Sequence, residues 1–313
     1  MNGTATKVNQ TQMAISVQNL TFAYLRQPVL QDISFRLEKS AIGLLGPNGS
    51  GKTTLLRGLL GHLRLPQQKV VVLGHDMAKT PRQARGRLGW MPERGGIIPG
   101  MTGVALVSYL GELSGMPKQD AMQRAHEMLD YVGLGEARYR KCEDYSQGMR
   151  QRLKLAQSLV HDPEWVLLDE PTSGLDPKGR IAILQLIRDL SVNKGLGVIL
   201  STHLLPDVEA VCQEIIVLRQ GRLLTHQKVD HTLRPEHQIY EVEGFGDEAA
   251  FLARLRDAGA AVKKDGRWAL VTVSSGDGAS LILQASVETE YGLRRLRRQT
   301  ISLEDVFYKL VEE

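Results

Sequence analysis

The residues Gly46, Pro47, Asn48, Gly49, Ser50, Gly51, Lys52, Thr53 and Thr54 have the order of a phosphate-binding loop: spaced glycines, then a lysine, then two hydroxyls. The apolar run AIGLL (41–45) precedes the loop and LLRGLLGHL follows it, so the loop falls where a strand turns into a helix. Glycines there let backbone N–H groups curl around phosphate oxygens, and the helix N-terminus adds positive potential. Lys52 is then expected to reach the β and γ phosphates, and the Thr53 hydroxyl to hold Mg2+. A second cluster, WVLLDEPTSGLDP (165–177), is an apolar run that ends in Asp169 and Glu170. Asp169 at the strand tip is placed to hold Mg2+, directly or through water, opposite Thr53. Glu170 is the natural group to orient or deprotonate an attacking water. Taken alone, an Asp-Glu pair after a strand usually caps a helix; beside a phosphate loop it reads as catalytic. GVILSTHLL (197–205) sets His203 just past another strand tip. Ligands collect at that edge of α/β sheets, so a γ-phosphate contact competes with the plainer reading of a surface histidine.

Positioning these groups requires an α/β core. Between Ile15 and about Leu224, short β-rich runs alternate with helical stretches; the clearest are AIGLL, VVVL (70–73), WVLLD, GVILST (197–202) and IIVL (215–218). Continuous apolar strands point to a sheet buried on both faces, as in parallel α/β folds. From roughly 100 to 160 no strand is expected; DAMQRAHEMLDYVGL and QGMRQRLKLAQSLV read as helices of an inserted subdomain. After Gly221 the order becomes strand, helix, strand, strand, helix, the pattern of a small α+β domain.

Composition excludes several classes. A hydrophobic share of 42% and a charged share of 24% describe a globular protein with a core to bury. The net charge of +4 favours a solvated basic face over a nucleic-acid groove. Cys142 and Cys212 stand in unrelated contexts, which argues against a disulfide framework or a zinc site. The polar start MNGTATKVNQTQM carries no apolar leader, and no apolar run nears the length of a membrane span. The expected location is the cytosol, with any membrane role borrowed from a partner.

Read in order, Tyr24 in LTFAYLRQPVLQDISF, the phosphate loop, GWMPERGG (89–96), YSQGMRQR (145–152), LLDEP, SGLDP and STH resemble the ATP-binding subunits of ABC transporters over roughly residues 13–225. The resemblance implies a P-loop NTPase core of the ABC type over 1–225, a helical subdomain at about 95–160, and a small α+β accessory domain over 226–313. It implies ATP and Mg2+ as cofactors, and ATP hydrolysis that powers transport through a separate integral membrane permease. It also implies work as a dimer, homo- or heterodimeric, at the cytoplasmic face of the cell membrane, with no nucleic acid. Tyr24 would stack on adenine, the alternative being a strand aromatic packed in the core. Ser146 and the Gly148 backbone would touch the γ-phosphate of ATP held by the opposite subunit. Asp176 would couple the two sites at the subunit interface, or simply form the turn before Pro177. His203 would sense the γ-phosphate.

Two places depart from the family pattern. Glu93 stands where a glutamine is usual; its carboxylate is still an oxygen ligand for Mg2+ and the attacking water, with added negative charge. Gln147 and Met149 replace a glycine and a glutamine of the usual Leu-Ser-Gly-Gly-Gln. MPERGGIIPGMT and the ending TISLEDVFYKLVEE are similar to the drug, sodium and polysaccharide exporter subgroup. That ending reads as an amphipathic helix capped by Ser302, docked on its own domain or at a dimer contact. A reading from another class is an ABC-type ATPase acting on ribosomes or nucleic acid. YGLRRLRRQ (291–299) is its best support, although a solvated basic face explains that stretch as well.

Overall fold

The computed structural model describes residues 14–25, 27–229, 238–265, 268–273 and 278–299. Contacts divide the chain into two compact units, Met1–Val229 and Asp230–Glu313. The first unit opens with β1 (Ile15–Tyr24), β2 (Gln27–Leu37), β3 (Ala41–Leu45), α1 (Lys52–Leu59), β4 (Val70–Val72), β5 (His75–Asp76), α2 (Pro81–Arg85) and β6 (Leu88–Met91). Three helices follow: α3 (Gly103–Leu113), α4 (Lys118–Tyr131) and α5 (Gln147–Leu159). The unit closes with β7 (Trp165–Asp169), α6 (Pro177–Val192), β8 (Gly197–Thr202), α7 (Leu205–Val211), β9 (Glu214–Arg219) and β10 (Arg222–Lys228).

The sheet that matters for function runs β10-β9-β3-β8-β7-β6. Its pairings from β9 to β6 are parallel, and β10 is added antiparallel at the edge. Every residue of AIGLL, WVLLD and GVILST is buried, as a sheet covered on both faces requires. Gly197 has a specific cause: a Cβ there would lie 2.2 Å from the ring of Trp165, which is itself fully buried on the paired strand. The register pairs Leu45 with Thr202, Asp169 with Ser201 and Met91 with Leu168. Four strand tips therefore end side by side, and the loops leaving them share one edge.

VVVL does not belong to this sheet, contrary to the expectation. Val70–Val72 pairs antiparallel with Ile15–Val17 in a second sheet of order β2-β1-β4-β5. Its burial alternates, with Val71 less buried than its two neighbours. A valine on a one-sided strand is as acceptable as on a two-sided one, so the apolar run alone did not separate the cases. Between β6 and β7 the described residues hold helices and no strand, apart from one isolated bridge between Thr102 and Lys141. Thr102 caps α3 by accepting from the Ala105 N–H at 3.3 Å.

The second unit contains β11 (Gln238–Phe245), α8 (Glu248–Asp257), β12 (Ala261–Asp265), β13 (Trp268–Val273), α9 (Gly278–Glu288) and β14 (Gly292–Gln299). Its antiparallel sheet has the order β12-β13-β11-β14. The helices cover a core in which Phe251 and Tyr291 stack with ring centroids 4.4 Å apart. The order expected from sequence is present, with β14 added to it. The basic stretch YGLRRLRRQ supplies that strand at the sheet edge, where charge discourages further pairing. Arg295 lies 4.8 Å over the Trp268 ring and 3.9 Å from Glu241, inside its own domain. The terminal helix expected from Ser302 onward lies outside the described residues.

Candidate functional site

The phosphate loop leaves β3 and enters α1 at Lys52. Gly51 occupies the N-cap with φ of 103°, a conformation that favours glycine, and a Cβ there would crowd Leu30 Cδ2 at 2.8 Å and the Val29 carbonyl at 3.0 Å. The Lys52 ammonium donates to the carbonyls of Gly46 at 2.6 Å and Pro47 at 3.3 Å, and stands 3.8 Å from the Glu170 carboxylate. It is only 6% exposed. Burial pushes its pKa below the usual lysine range, and Glu170, Asp169 and Glu93 oppose that push.

At the tip of β7 two carboxylates diverge. Asp169 accepts from the Thr53 hydroxyl at 2.8 Å and from the Ser201 hydroxyl at 2.9 Å. Glu170 turns away because its backbone enters the left-handed region, φ 48°, held by its N–H to the Ser201 carbonyl at 2.9 Å. A non-glycine residue there carries strain of about 1 kcal/mol or more, which the surrounding structure must sustain. The turn aims the Glu170 side chain at Lys52 and at His203, whose Nδ1 lies 3.0 Å from both carboxylate oxygens. With Nδ1 protonated, the imidazole donates to the carboxylate.

These groups surround a cavity of about 350 Å3 lined by the phosphate loop, Thr53, Thr54, Glu93, Asp169 and Glu170. Val29 and Arg94 also line it and were not singled out from sequence. The structure thus brings together the loop, Asp169, Glu170 and Glu93, with His203 joined through Glu170. It does not bring four others to the cavity. Tyr24 ends β1, is 41% exposed, and meets Phe22 edge-on at 4.9 Å, so it is not a core aromatic. Ser146 caps α5 by accepting from the Met149 N–H at 3.3 Å. Asp176 caps α6 by accepting from the Gly179 N–H at 3.0 Å. Gly148 has open space around it; the nearest atom to an added Cβ would be Leu175 Cδ2 at 3.9 Å.

Three supporting contacts escaped the sequence reading. Ser201 holds Asp169, and its only signal was a polar residue near the end of an apolar strand. Asp207, fully buried, accepts from the Thr172 hydroxyl at 2.6 Å and from Arg180 Nε at 2.5 Å, tying the turn after Glu170 to α6. Gln147 and Gln151 both donate to the Ser173 carbonyl, at 3.3 and 3.2 Å. Gln147, which stands where the family pattern has a glycine, therefore joins the start of α5 to the SGLDP turn.

A glycine loop, a buried lysine and a carboxylate pair at the carboxyl edge of a parallel sheet define a P-loop nucleotide-binding α/β protein. Residues 30–173 match the family model described as ABC transporter. An uncharacterized ABC transporter ATP-binding protein of Bacillus subtilis, YxlF, is 31% identical over 95% of this chain and 99% of its own length. The Nod factor export ATP-binding protein I of Ralstonia nicotianae is 32% identical over 95% and 93% respectively. The linearmycin resistance ATP-binding protein LnrL of B. subtilis is 33% identical over 77% and 78%. A solved ATP-binding subunit of an ABC transporter superposes with a TM-score of 0.62 at 25% identity, covering 69% of this chain and 90% of its own. A dimeric post-hydrolysis ATP-binding cassette, MJ0796 bound to ADP and Pi, shares the fold with a TM-score of 0.63 at 23% identity, over 68% and 98%. The chain belongs to the ABC transporter ATP-binding proteins, and it is an ATPase that binds ATP.

Proposed function

We propose that this ATPase powers export through a separate membrane permease, and that two copies enclose two ATP molecules between them. The observation that carries the dimer is the division of the site. The cavity has its phosphate loop and acids, while Ser146, Gly148 and Asp176 stand elsewhere in the unit with exposed or open surroundings. Backbone N–H groups at the start of α5 are suited to a phosphate presented by another copy.

In this reading the loop 46–54 cradles the ATP phosphates, and Lys52 exchanges its own loop carbonyls for phosphate oxygens. Glu170, steadied by His203, takes a proton from the water that attacks the γ-phosphorus as the bond to ADP breaks. Tyr24, exposed at the end of β1, stacks on the adenine ring. The donor set fits Mg2+: Thr53 and Asp169 offer paired oxygens, and among the described residues no three His, Cys, Asp or Glu side chains form a protein cage for a metal. Mg2+ is held by few carboxylates together with nucleotide phosphates, so such a sparse set is what it takes, with Glu93 a third oxygen source. Bound there, Mg2+ would offset charge on the phosphates.

Among the described residues no helix is long and apolar enough to cross a membrane; in this reading the transport path lies in the permease. A groove lined by Trp90 on β6 and by Leu110 and the exposed Leu113 on α3 supports docking of that partner on the helical subdomain. The Nod factor and linearmycin relatives support export. The first unit is then the motor, with the second unit, Asp230–Glu313, accessory to it.

The test is the mass of the Glu170→Gln protein in solution with saturating ATP and Mg2+. A dimer that returns to monomer on removal of nucleotide is expected. A protein that stays monomeric, while the wild type hydrolyses ATP without cooperativity, would sink the composite-site reading.

A further inference from the structure

Helix α5 grips the loop after β6 through side-chain-to-backbone hydrogen bonds. The Lys154 ammonium donates to the carbonyls of Pro92 at 3.0 Å and Glu93 at 2.8 Å. One turn further, Gln157 Nε2 donates to the Gly96 carbonyl at 2.8 Å. Gly96, at φ 82°, approaches the helix so closely that a Cβ would meet Lys154 Cγ and Cδ and Gln157 Oε1, each at 3.3 Å. Residues 92–96 are thus laid along α5.

Lys154 is 5% exposed. An ammonium buried to that extent needs hydrogen-bond acceptors and a counter-charge. The two carbonyls supply the first. Burial pushes the Lys154 pKa below the usual lysine range, and Glu93 is the charge that opposes the push. The same Glu93 lines the nucleotide cavity with Thr53, Asp169 and Glu170. A glutamate at this place adds negative charge where phosphates bind, and a buried lysine on the neighbouring helix offsets it. Lys154 thus fixes the Glu93 backbone by a direct hydrogen bond, while the carboxylate itself lies 3.7 Å from the exposed Arg94 guanidinium.

We propose that Lys154 is a positioning residue for Glu93, holding its carboxylate at the cavity as an oxygen ligand of the nucleotide's divalent cation. The inference rests on the reading of Glu93 given above. It has a mechanical consequence: Ser146 opens the helix that carries Lys154, so a shift of α5 on meeting a second subunit's nucleotide displaces Glu93 in its own site.

The experiment titrates Mn2+ into full-length protein holding a non-hydrolysable ATP analogue, with bound metal read by electron paramagnetic resonance. Lys154→Met is expected to weaken Mn2+ binding about tenfold, within the range that outer-shell partners of a metal site command. Binding of the analogue without metal stays unchanged, and Lys154→Arg keeps most of the Mn2+ affinity. Glu93→Ala alone also weakens Mn2+ binding, and Lys154→Met added to it causes no further loss, because the two act as one unit. Additive losses, or an unchanged affinity in Lys154→Met beside a weakened Glu93→Ala, overturn the proposal and leave Lys154 as a loop anchor. An unchanged affinity in Glu93→Ala overturns the metal reading of Glu93 and this proposal with it. Should Lys154→Met fail to fold, Lys154→Gln, which retains a donor without the charge, carries the same comparison.

Discussion

The strand-tip edge and the N-terminus of α5 are two regions with opposite physical character. Lys52, Asp169 and Glu170 are each less than a tenth exposed. Lys52 is held by its own loop's carbonyls and faces Glu170, while Asp169 and Glu170 are held by partners from other strands and loops. At α5 and α6, among the described residues, the side chains of Ser146 and Asp176 do no more than cap their own helices, and Gly148 meets little. The first region is organised before any ligand arrives. The second offers exposed polar groups and helix-end N–H donors, which on the proposed reading is the division of labour expected of a site completed by a second copy.

The largest expected effect lies in the buried region. Glu170→Gln removes the proton acceptor while preserving shape, so turnover measured as phosphate release falls about a thousandfold. ATP binding persists in that variant. Turnover within a few-fold of wild type would move the base elsewhere and erase the functional contrast between the two regions.

Asp207→Ala comes next. It strips a fully buried carboxylate from Thr172 and leaves Arg180 without its ion-pair partner, at a cost of about 3 kcal/mol in urea unfolding. A change below about 1 kcal/mol would mean the turn after Glu170 is held by Gln147 and Gln151 instead. Smaller again is Ser201→Ala, which takes one hydrogen bond from a buried carboxylate, about 2 kcal/mol by the same measurement.

What could be read from sequence and what could not divides along a related line. The phosphate loop, the acids of β7 and the edge they share were legible because each sits within a few residues of a continuous apolar strand. The adjacency of strand tips follows from parallel α/β topology. The ties that steady those groups were not legible. Asp169 meets Ser201 from 32 positions away, Thr172 meets Asp207 from 35, and Glu93 meets Lys154 from 61. No local period encodes such pairs; they exist only once strands and helices have been brought together. Val70–Val72 failed for a different reason, since three valines fit a one-sided strand as well as a two-sided one.

Ser146→Ala gives the smallest expected loss of stability and the sharpest test of the comparison. In the isolated chain the hydroxyl makes one described contact, the cap to the Met149 N–H. Its loss costs about 1 kcal/mol, typical of an N-cap serine. In a unit of this size that lowers the thermal midpoint by about 3 °C without nucleotide. Ser146→Asn, which caps about as well, restores the midpoint but not the compact hydroxyl. If Ser146 also meets a phosphate across the dimer, both variants lose ATPase activity, while only the alanine variant loses stability. Activity that instead follows the thermal midpoint, recovering in Ser146→Asn, would make Ser146 a cap alone, and the contrast between the two regions would then be one of burial, with no division of the nucleotide site behind it.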